Sequence, residues 1–131
     1  MMNTQKILLL CLFLGICGTL QAQIYVRGVN VNEKKNVKYI IVDFYSKLLS
    51  NRGFASVDFG QNRGFAERAD CETKDGDRVE FNSVADLCNY FSKQGWDYMQ
   101  SYMAGSVGVQ NSNVDTRFIF KRATEGIVEK Q

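Results

Sequence analysis

Acidic side chains are the first residues of this sequence that could do chemistry, and they are densest around position 75. Five of them could supply calcium ligands: Asp70, Glu72, Asp75, Asp77 and Glu80. A calcium loop of the EF-hand type needs oxygen ligands at alternating positions before a glycine, and a bidentate Glu further on. Lys74 occupies one such position, and Asp77 follows the glycine at 76. The spacing favours a solvated turn, and we expect no metal ligand here.

Histidine is absent from the 131 residues. Because histidine is the commonest general base near neutral pH, nucleophilic catalysis by Ser or Cys lacks its usual activator. A structural zinc site usually takes four N or S ligands, and only Cys71 and Cys88 remain after position 22. We expect no catalytic residue, metal or cofactor. An enzyme acting through carboxylates, for example on a glycan, would need two of Asp43, Asp58 and Asp97 within about 5–10 Å in a cleft.

Cys71 and Cys88 are also a candidate disulfide pair. An exported protein permits a disulfide, and closing a loop of this length would contribute on the order of 3 kcal/mol. The alternative is that Cys88 is a buried free thiol in the place of a core leucine. Both alternatives stay open at the level of the sequence.

A repeated pentapeptide supplies two candidate anion-binding side chains. Asn-Arg-Gly-Phe-Ala occurs at 51–55 and again at 62–66. One interpretation is a pair of matched loops that present Arg52 and Arg63 to an anion. The alternative is two turns of similar composition, because two copies do not form a solenoid.

Aromatic side chains are the remaining candidate ligand contacts. Trp96 is the only tryptophan, and a tryptophan can stack on a sugar or peptide. Its place directly after Gly95 instead favours packing on Phe91 at the end of a helix. Tyr98 and Tyr102 are the candidate ligand contacts, because we expect them to be exposed on the sheet face opposite the helix.

The first 22 residues have the three-part pattern of a secretory signal peptide. Lys6 is their only charge, residues 7–16 form an apolar run, and small or weakly polar residues lead to Ala22. The apolar run has about ten residues, whereas a spanning helix needs roughly 20. We expect cleavage after Ala22 and export to the periplasm or cell surface, with the working protein beginning near Gln23.

Two further expectations concern the membrane and nucleic acids. A lipoprotein signal needs a small residue before the lipidated cysteine, but Ile16 precedes Cys17 and Leu10 precedes Cys11. We therefore expect neither a lipid anchor nor a membrane span. Removing Lys6 with the leader leaves 15 basic and 14 acidic residues of the original 16 and 14. Because these charges are interspersed and form no basic stripe, we expect no nucleic-acid partner.

The helix is the clearest predicted element, over about Val84 to Gln94. Ser83 is a good N-cap, and an acidic residue follows three positions later, as in a capping box. Gly95 is placed to take the left-handed conformation just past the end. One apolar stripe has helical spacing and should be buried against the sheet: Val84, Leu87, Cys88 and Phe91.

Strand signals flank this helix. Residues 37–49 and 54–59 predict a hairpin around an Asn/Gly turn, and 96–103 and 114–121 predict two more strands. A short strand is expected at 78–81, and another within 24–31. The simplest compact solution is an α+β fold with a single antiparallel sheet and one helix packed on one face, in the order β-β-(β)-α-β-β. The expected divisions are a leader (1–22), an N-terminal segment (23–36), an α+β domain (37–122) and a flexible tail (123–131).

Several motifs of the α+β segment occur together at characteristic spacings. They are Val57-Asp58-Phe59-Gly60-Gln61, Asp75-Gly76, Phe81-Asn82-Ser83-Val84-Ala85-Asp86, Asn89-Tyr90, Gly95-Trp96-Asp97 and Phe118-Ile119-Phe120-Lys121-Arg122. The set resembles a family of small exported proteins of unknown function from Gram-negative anaerobes. Its second half is similar to a bacterial domain of unknown function in which a helix ends in Gly-Trp-Glu and a final strand ends in a basic pair.

The similarity covers about Lys38 to Arg122. This sequence departs from the family at Asp97, where Glu is more usual, and at Cys88, where leucine is expected. The resemblance implies the fold and carries over no catalytic residue.

Three functions remain open from the sequence. The leading one is a non-enzymatic binding or interaction module that contacts an envelope protein or glycan, with its binding residues on two predicted loops of a rigid scaffold, at about 60–77 and 104–113. The second is the carboxylate-dependent enzyme. The third is an assembly subunit whose exposed sheet face or edge pairs with another copy.

Overall fold

The computed structural model describes residues 23–62, 64, 67, 69–104 and 115–124. The predicted leader, Arg63, most of the predicted loop at 104–113 and most of the predicted tail lie outside these residues. The described elements are β1 (Tyr25–Val26), β2 (Val29–Asn30), a 3-10 helix (Val31–Glu33), β3 (Tyr39–Ser46), β4 (Gly53–Asp58), β5 (Cys71–Glu72), α1 (Val84–Lys93), β6 (Trp96–Ala104) and β7 (Asp115–Arg122).

The main sheet has four antiparallel strands in the order β4-β3-β7-β6. Side chains alternate between its two faces, so that Ile40 and Val42 of β3 lie beside Phe120 and Phe118 of β7 on the inner face. All four are buried. The alternation of apolar and polar residues in these segments therefore sets which face is covered. The prediction of an α+β fold with an antiparallel sheet is confirmed.

The prediction of a single sheet is wrong, because a second antiparallel sheet has the order β2-β1-β5. Arg27 and Gly28 both have positive φ, at 51° and 77°, which is the backbone of the tight type I′ turn that closes two-residue hairpins. Arg is an unusual residue for the first of these positions, so the hairpin signal in the sequence is weak. The partner strand β5 falls inside the segment that we predicted to be a loop.

The strand predicted at 78–81 is reduced to isolated bridges. Arg78 pairs with Glu72, and Phe81 pairs with Gly53. The intervening chain turns back at Thr73, whose amide donates to the carbonyl of Asp77 at 2.8 Å. Residues 69–81 thus fold along β4 and connect the two sheets.

Helix α1 covers the inner face of the main sheet through its aromatic side chains. The ring of Phe91 stacks on that of Phe120 with centroids 5.0 Å apart, and it also lies 6.4 Å from Phe81. Leu87 is fully buried beside them, whereas Val84 is 39% exposed. The expectation that Val84 belongs to the buried stripe is therefore wrong.

Local signals define both ends of α1. The Ser83 hydroxyl accepts a hydrogen bond from the amide of Asp86 at 3.2 Å. The carboxylate of Asp86 accepts one from the amide of Asn82 at 2.9 Å, so the reciprocal bond reaches one residue before the N-cap. Gly95 has φ of +85°, the left-handed conformation that the sequence predicts just past the end of the helix.

No helix in the described part of the chain is long and apolar enough to cross a membrane.

Truncation of Phe91 tests this packing. Phe91→Ala should lower the free energy of unfolding by about 3–5 kcal/mol, since it removes a fully buried ring from between Phe120 and Phe81. Val84→Ala is the matched control on the same helix and should cost less than about 1 kcal/mol. Urea denaturation followed by circular dichroism measures both, and equal losses would contradict the packing described here.

Candidate functional site

An open cleft of about 1070 Å³ lies at the end of the main sheet where β3 and β6 begin. The segment from β2 to β3 forms one wall, the turn after α1 forms another, and the end of β7 forms the third. The residues that line it are Asn30, Asn32, Glu33, Lys35, Lys38, Gln94, Gly95, Lys121, Arg122, Ala123 and Thr124.

The cleft gathers positive charge. Lys35, Lys38, Lys121 and Arg122 line it, against the single carboxylate of Glu33, which gives the lining a net charge of +3. The whole chain has a net charge of +2, so the rest of the molecule is close to neutral. Cations of one sign around a concave surface raise the local concentration of anions.

Arg122 organises one wall of the cleft through backbone carbonyls. Its Nε donates to the carbonyl oxygen of Val37 at 2.9 Å, and its Nη1 donates to that of Asn32 at 3.1 Å. Its Nη2 donates to the carbonyls of Lys34 at 2.9 Å and Val31 at 3.4 Å. These bonds use four of the five N–H groups of a guanidinium. They leave one N–H on Nη1 and do not neutralise the positive charge.

The buried indole of Trp96 lies beneath this guanidinium. The Cζ of Arg122 is 4.5 Å from the ring centroid, within the range of a cation–π contact. Trp96 is fully buried, and its Nε1 has no hydrogen-bond partner among the described residues. The functional interpretation of Trp96 as an exposed stacking platform is therefore wrong.

Side-chain amides fix the other wall. Asn32 Nδ2 donates to the carbonyl oxygen of Gln94 at 2.8 Å, and Asn32 Oδ1 accepts from the amide of Ile24 at 3.0 Å. The amide of Gln23 donates to Gln94 Oε1 at 2.7 Å. Because Ile24 is fully buried, the chain around Gln23 is held against the cleft.

The predicted ligand contacts lie elsewhere. Tyr98 is 51% exposed and Tyr102 is 39% exposed, but the two occupy opposite faces of the sheet. The register of β6 shifts between Tyr98 and Gln100, and this bulge moves one residue out of the alternation. Tyr98 therefore lies on the helix face, with its ring 6.0 Å from that of Phe120, and it does not share a surface with Tyr102.

Arg52 lies at the far end of the β3–β4 hairpin from the cleft. Its Nε is 3.4 Å from Glu80, which also pairs with Lys47 at 2.8 Å. Gly53, the residue after Arg52, is in β4, where a Cβ would collide with the carbonyl oxygen of Tyr45. Gly64 of the second copy has room for a Cβ, so the two glycines have different surroundings.

Both cysteines are free thiols in the structure. Cys71 is buried, and burial raises the pKa of its thiol to about 12. Its polar neighbour is Tyr90, with which it shares a hydrogen bond. Cys88 is half-buried on α1, and burial raises its pKa as well. Neither environment favours a reactive thiolate.

The carboxylates do not converge on the cleft. Asp43 pairs with Arg117 at 3.1 Å on the outer sheet face. Asp58 lies diagonally across from it on β4 and accepts a bond from the amide of Gly60 at 2.9 Å. Asp97 is on β6, two strands from Asp43. None of the three lines the cleft.

The acidic residues around position 75 do not form a metal site either. Asp70 accepts a hydrogen bond from the Tyr45 hydroxyl at 2.6 Å and lies 3.5 Å from Arg78. Among the described residues, no group of three or more His, Cys, Asp or Glu side chains could hold a metal ion.

Comparison of the chain with protein-family models, with curated proteins and with solved structures gave no match. The interpretation of the site therefore rests on its own geometry.

Replacement of Arg122 tests its role in shaping the cleft. Arg122→Gln should lower the free energy of unfolding by about 2–4 kcal/mol, because several carbonyls lose a charged donor. It should also make the fluorescence of Trp96 more sensitive to acrylamide. Lys121→Gln is the neighbouring control and should change stability by less than about 0.5 kcal/mol. An unchanged stability and quenching of the Arg122 variant would refute this role.

Proposed function

We propose that this chain is an exported, non-enzymatic binding module whose cleft takes an acidic glycan of the cell envelope. The observation that carries the proposal is the convergence of Lys35, Lys38, Lys121 and Arg122 on one cleft with a single opposing carboxylate. Export rests on the pattern of residues 1–22.

The shape of the cleft favours an extended ligand over a single ion. It is open, and its volume is at the upper end of the roughly 300–1,000 Å³ of small-molecule pockets. Lysines act as flexible point charges that select for negative charge more than for one geometry. A polymer that carries an acid on successive units would contact several of them at once.

The amides of the cleft match the other groups of a sugar. Asn30 and Gln94 line it, and each side-chain amide offers two donors and an acceptor. Hydroxyl and ring oxygens can pair with such groups, whereas the lysines pair with the acid. An acidic peptide carries the same charge but fewer hydroxyl groups, which makes it the natural competitor in a binding test.

The carboxylate-dependent enzyme has weaker support. Asp43 and Asp58 share the outer face of the main sheet, where diagonal neighbours are about 7–8 Å apart. Asp43 is already paired with Arg117 at 3.1 Å, and neither carboxylate lines the cleft. The binding module is therefore the function that the geometry supports best.

Titration with defined polymers tests the binding proposal. Polygalacturonate should change the fluorescence of Trp96, which lies under Arg122, whereas neutral dextran should not. Lys35→Gln/Lys38→Gln/Lys121→Gln removes three exposed charges and should weaken binding by at least about tenfold, since each is worth roughly 0.5–1 kcal/mol at the surface. Lys74→Gln/Lys93→Gln is the control for charge elsewhere and should bind like the parent.

Salt and a second polymer complete this test. Binding should weaken as ionic strength rises from about 0.01 to 0.15 M, because the Debye length falls from about 30 to 8 Å. Tighter binding of polyglutamate than of polygalacturonate would indicate an acidic peptide as the ligand and refute the glycan. Binding that the triple variant retains would place the site outside the cleft.

Export has its own test. The intact mass of the protein recovered from the cell envelope should correspond to a chain that begins at Gln23, give or take three residues, with no added lipid. A retained residue 1, or a diacylglycerol on Cys17, would show that the N-terminal segment has a different role.

A further inference from the structure

The outer edge of β6 is a long strand edge that no described residue pairs with. β6 has nine residues, from Trp96 to Ala104, and lies at the end of the strand order with β7 on its inner side. Its outward-facing amides and carbonyls form a row of unpaired hydrogen-bonding groups. Such a row is a template for a further strand.

The opposite edge of the same sheet is covered. The amide of Gly53 and that of Phe81 each donate to the carbonyl of the other, at 2.9 and 2.8 Å. The amide of Val57 donates to the carbonyl of Ala69 at 2.7 Å. The chain therefore protects the β4 edge with residues 69–81, and the described residues provide no comparable cover for β6.

β6 also lacks the usual devices that stop strands from pairing. Proline and edge lysines are common protections, but the sequence contains no proline and β6 contains no lysine. Asp97 is its only charged residue. The bulge between Tyr98 and Gln100 distorts only the first part of the strand and leaves Gln100 to Ala104 in regular pairing with β7.

Apolar side chains flank this edge on both faces. Tyr98 and Met103 lie on the helix face and are 51% and 72% exposed, and Tyr102 on the other face is 39% exposed. Met99 at the bulge is 52% exposed. On the helix face, α1 with ten residues is about 15 Å long, whereas β6 extends over about 30 Å, so the helix cannot cover the whole strand.

We propose that β6 pairs antiparallel with β6 of a second copy of this chain, which joins two four-stranded sheets into one of eight strands. β6 suits its own edge, because it carries a single charged residue, Asp97, and has exposed aromatic or apolar side chains on both faces. A two-fold axis at Ser101 places Ser101 opposite its own copy and Met103 opposite Met99 of the second copy. It also keeps Asp97 at opposite ends of the paired region, so the two like charges stay apart.

Charge placed at this edge tests the proposal. Ser101→Lys/Met103→Lys changes two exposed residues of this edge, of which Ser101 would lie opposite its own copy and Met103 opposite Met99 of the second copy. Native mass spectrometry and sedimentation of the full mature chain should find a dimer of the parent protein, with a dissociation constant raised at least about tenfold in the variant. Leu48→Lys/Leu49→Lys is the matched control, because it adds the same charge at residues that are 92% and 98% exposed in the hairpin turn after β3, and it should dimerise like the parent.

Hydrogen exchange locates the contact. Raising the protein concentration should slow the exchange of outward-facing amides of β6 and leave those of β4 unchanged. A parent protein that is monomeric at every concentration would overturn the proposal, and so would a dimer that survives Ser101→Lys/Met103→Lys. Outward-facing amides of β6 that are protected in a monomer would show that the chain covers its own edge and would also overturn the proposal. None of these outcomes depends on ligand binding in the cleft.

Discussion

The contacts of Arg122 with backbone carbonyls are the interaction on which the shape of this molecule depends most. The segment that connects β2 to β3 has only one turn of 3-10 helix, and its carbonyls point toward the end of β7. A lysine at this position could not reach them in the same way, because only the planar guanidinium spreads several donors over a fixed fork. One side chain near the end of the last strand thus fixes a segment that lies about 85 residues earlier, between Val31 and Val37.

The same contact explains why the cleft is positively charged. Carbonyl oxygens occupy four of the five N–H groups of the guanidinium, but they carry only partial charges and leave most of its net charge in place. Trp96 beneath it adds a cation–π contact and removes water from one side. Lys35, Lys38 and Lys121 then surround a cation that has no carboxylate partner among the described residues. The arrangement favours a ligand that supplies the missing negative charge.

How much the sequence predicts depends on whether the deciding contact is local. The ends of α1 follow from Ser83 and Gly95, because caps act within one helical turn. The second sheet does not follow, because β1 finds β5 about 46 residues further along the chain and no periodicity in a two-residue strand marks it. The cleft is hidden for the same reason, since its lysines look interspersed along the chain and converge only in the fold. A single bulge at Met99 was enough to place Tyr98 and Tyr102 on opposite faces.

Arg122 and the exposed lysines have different roles in the cleft. Arg122 is both a structural centre and part of the ligand-facing surface, so a loss of binding in its variants would combine two effects. The exposed lysines take no part in the core, and their removal leaves the carbonyl contacts intact. Because the wall exists only when residues 31–37 are folded against Arg122, an anion bound there stabilises the native state by mass action. Anion binding in the cleft would therefore be thermodynamically linked to the order of the N-terminal segment, since Arg122 both contributes to the charge of the cleft and holds its wall in place.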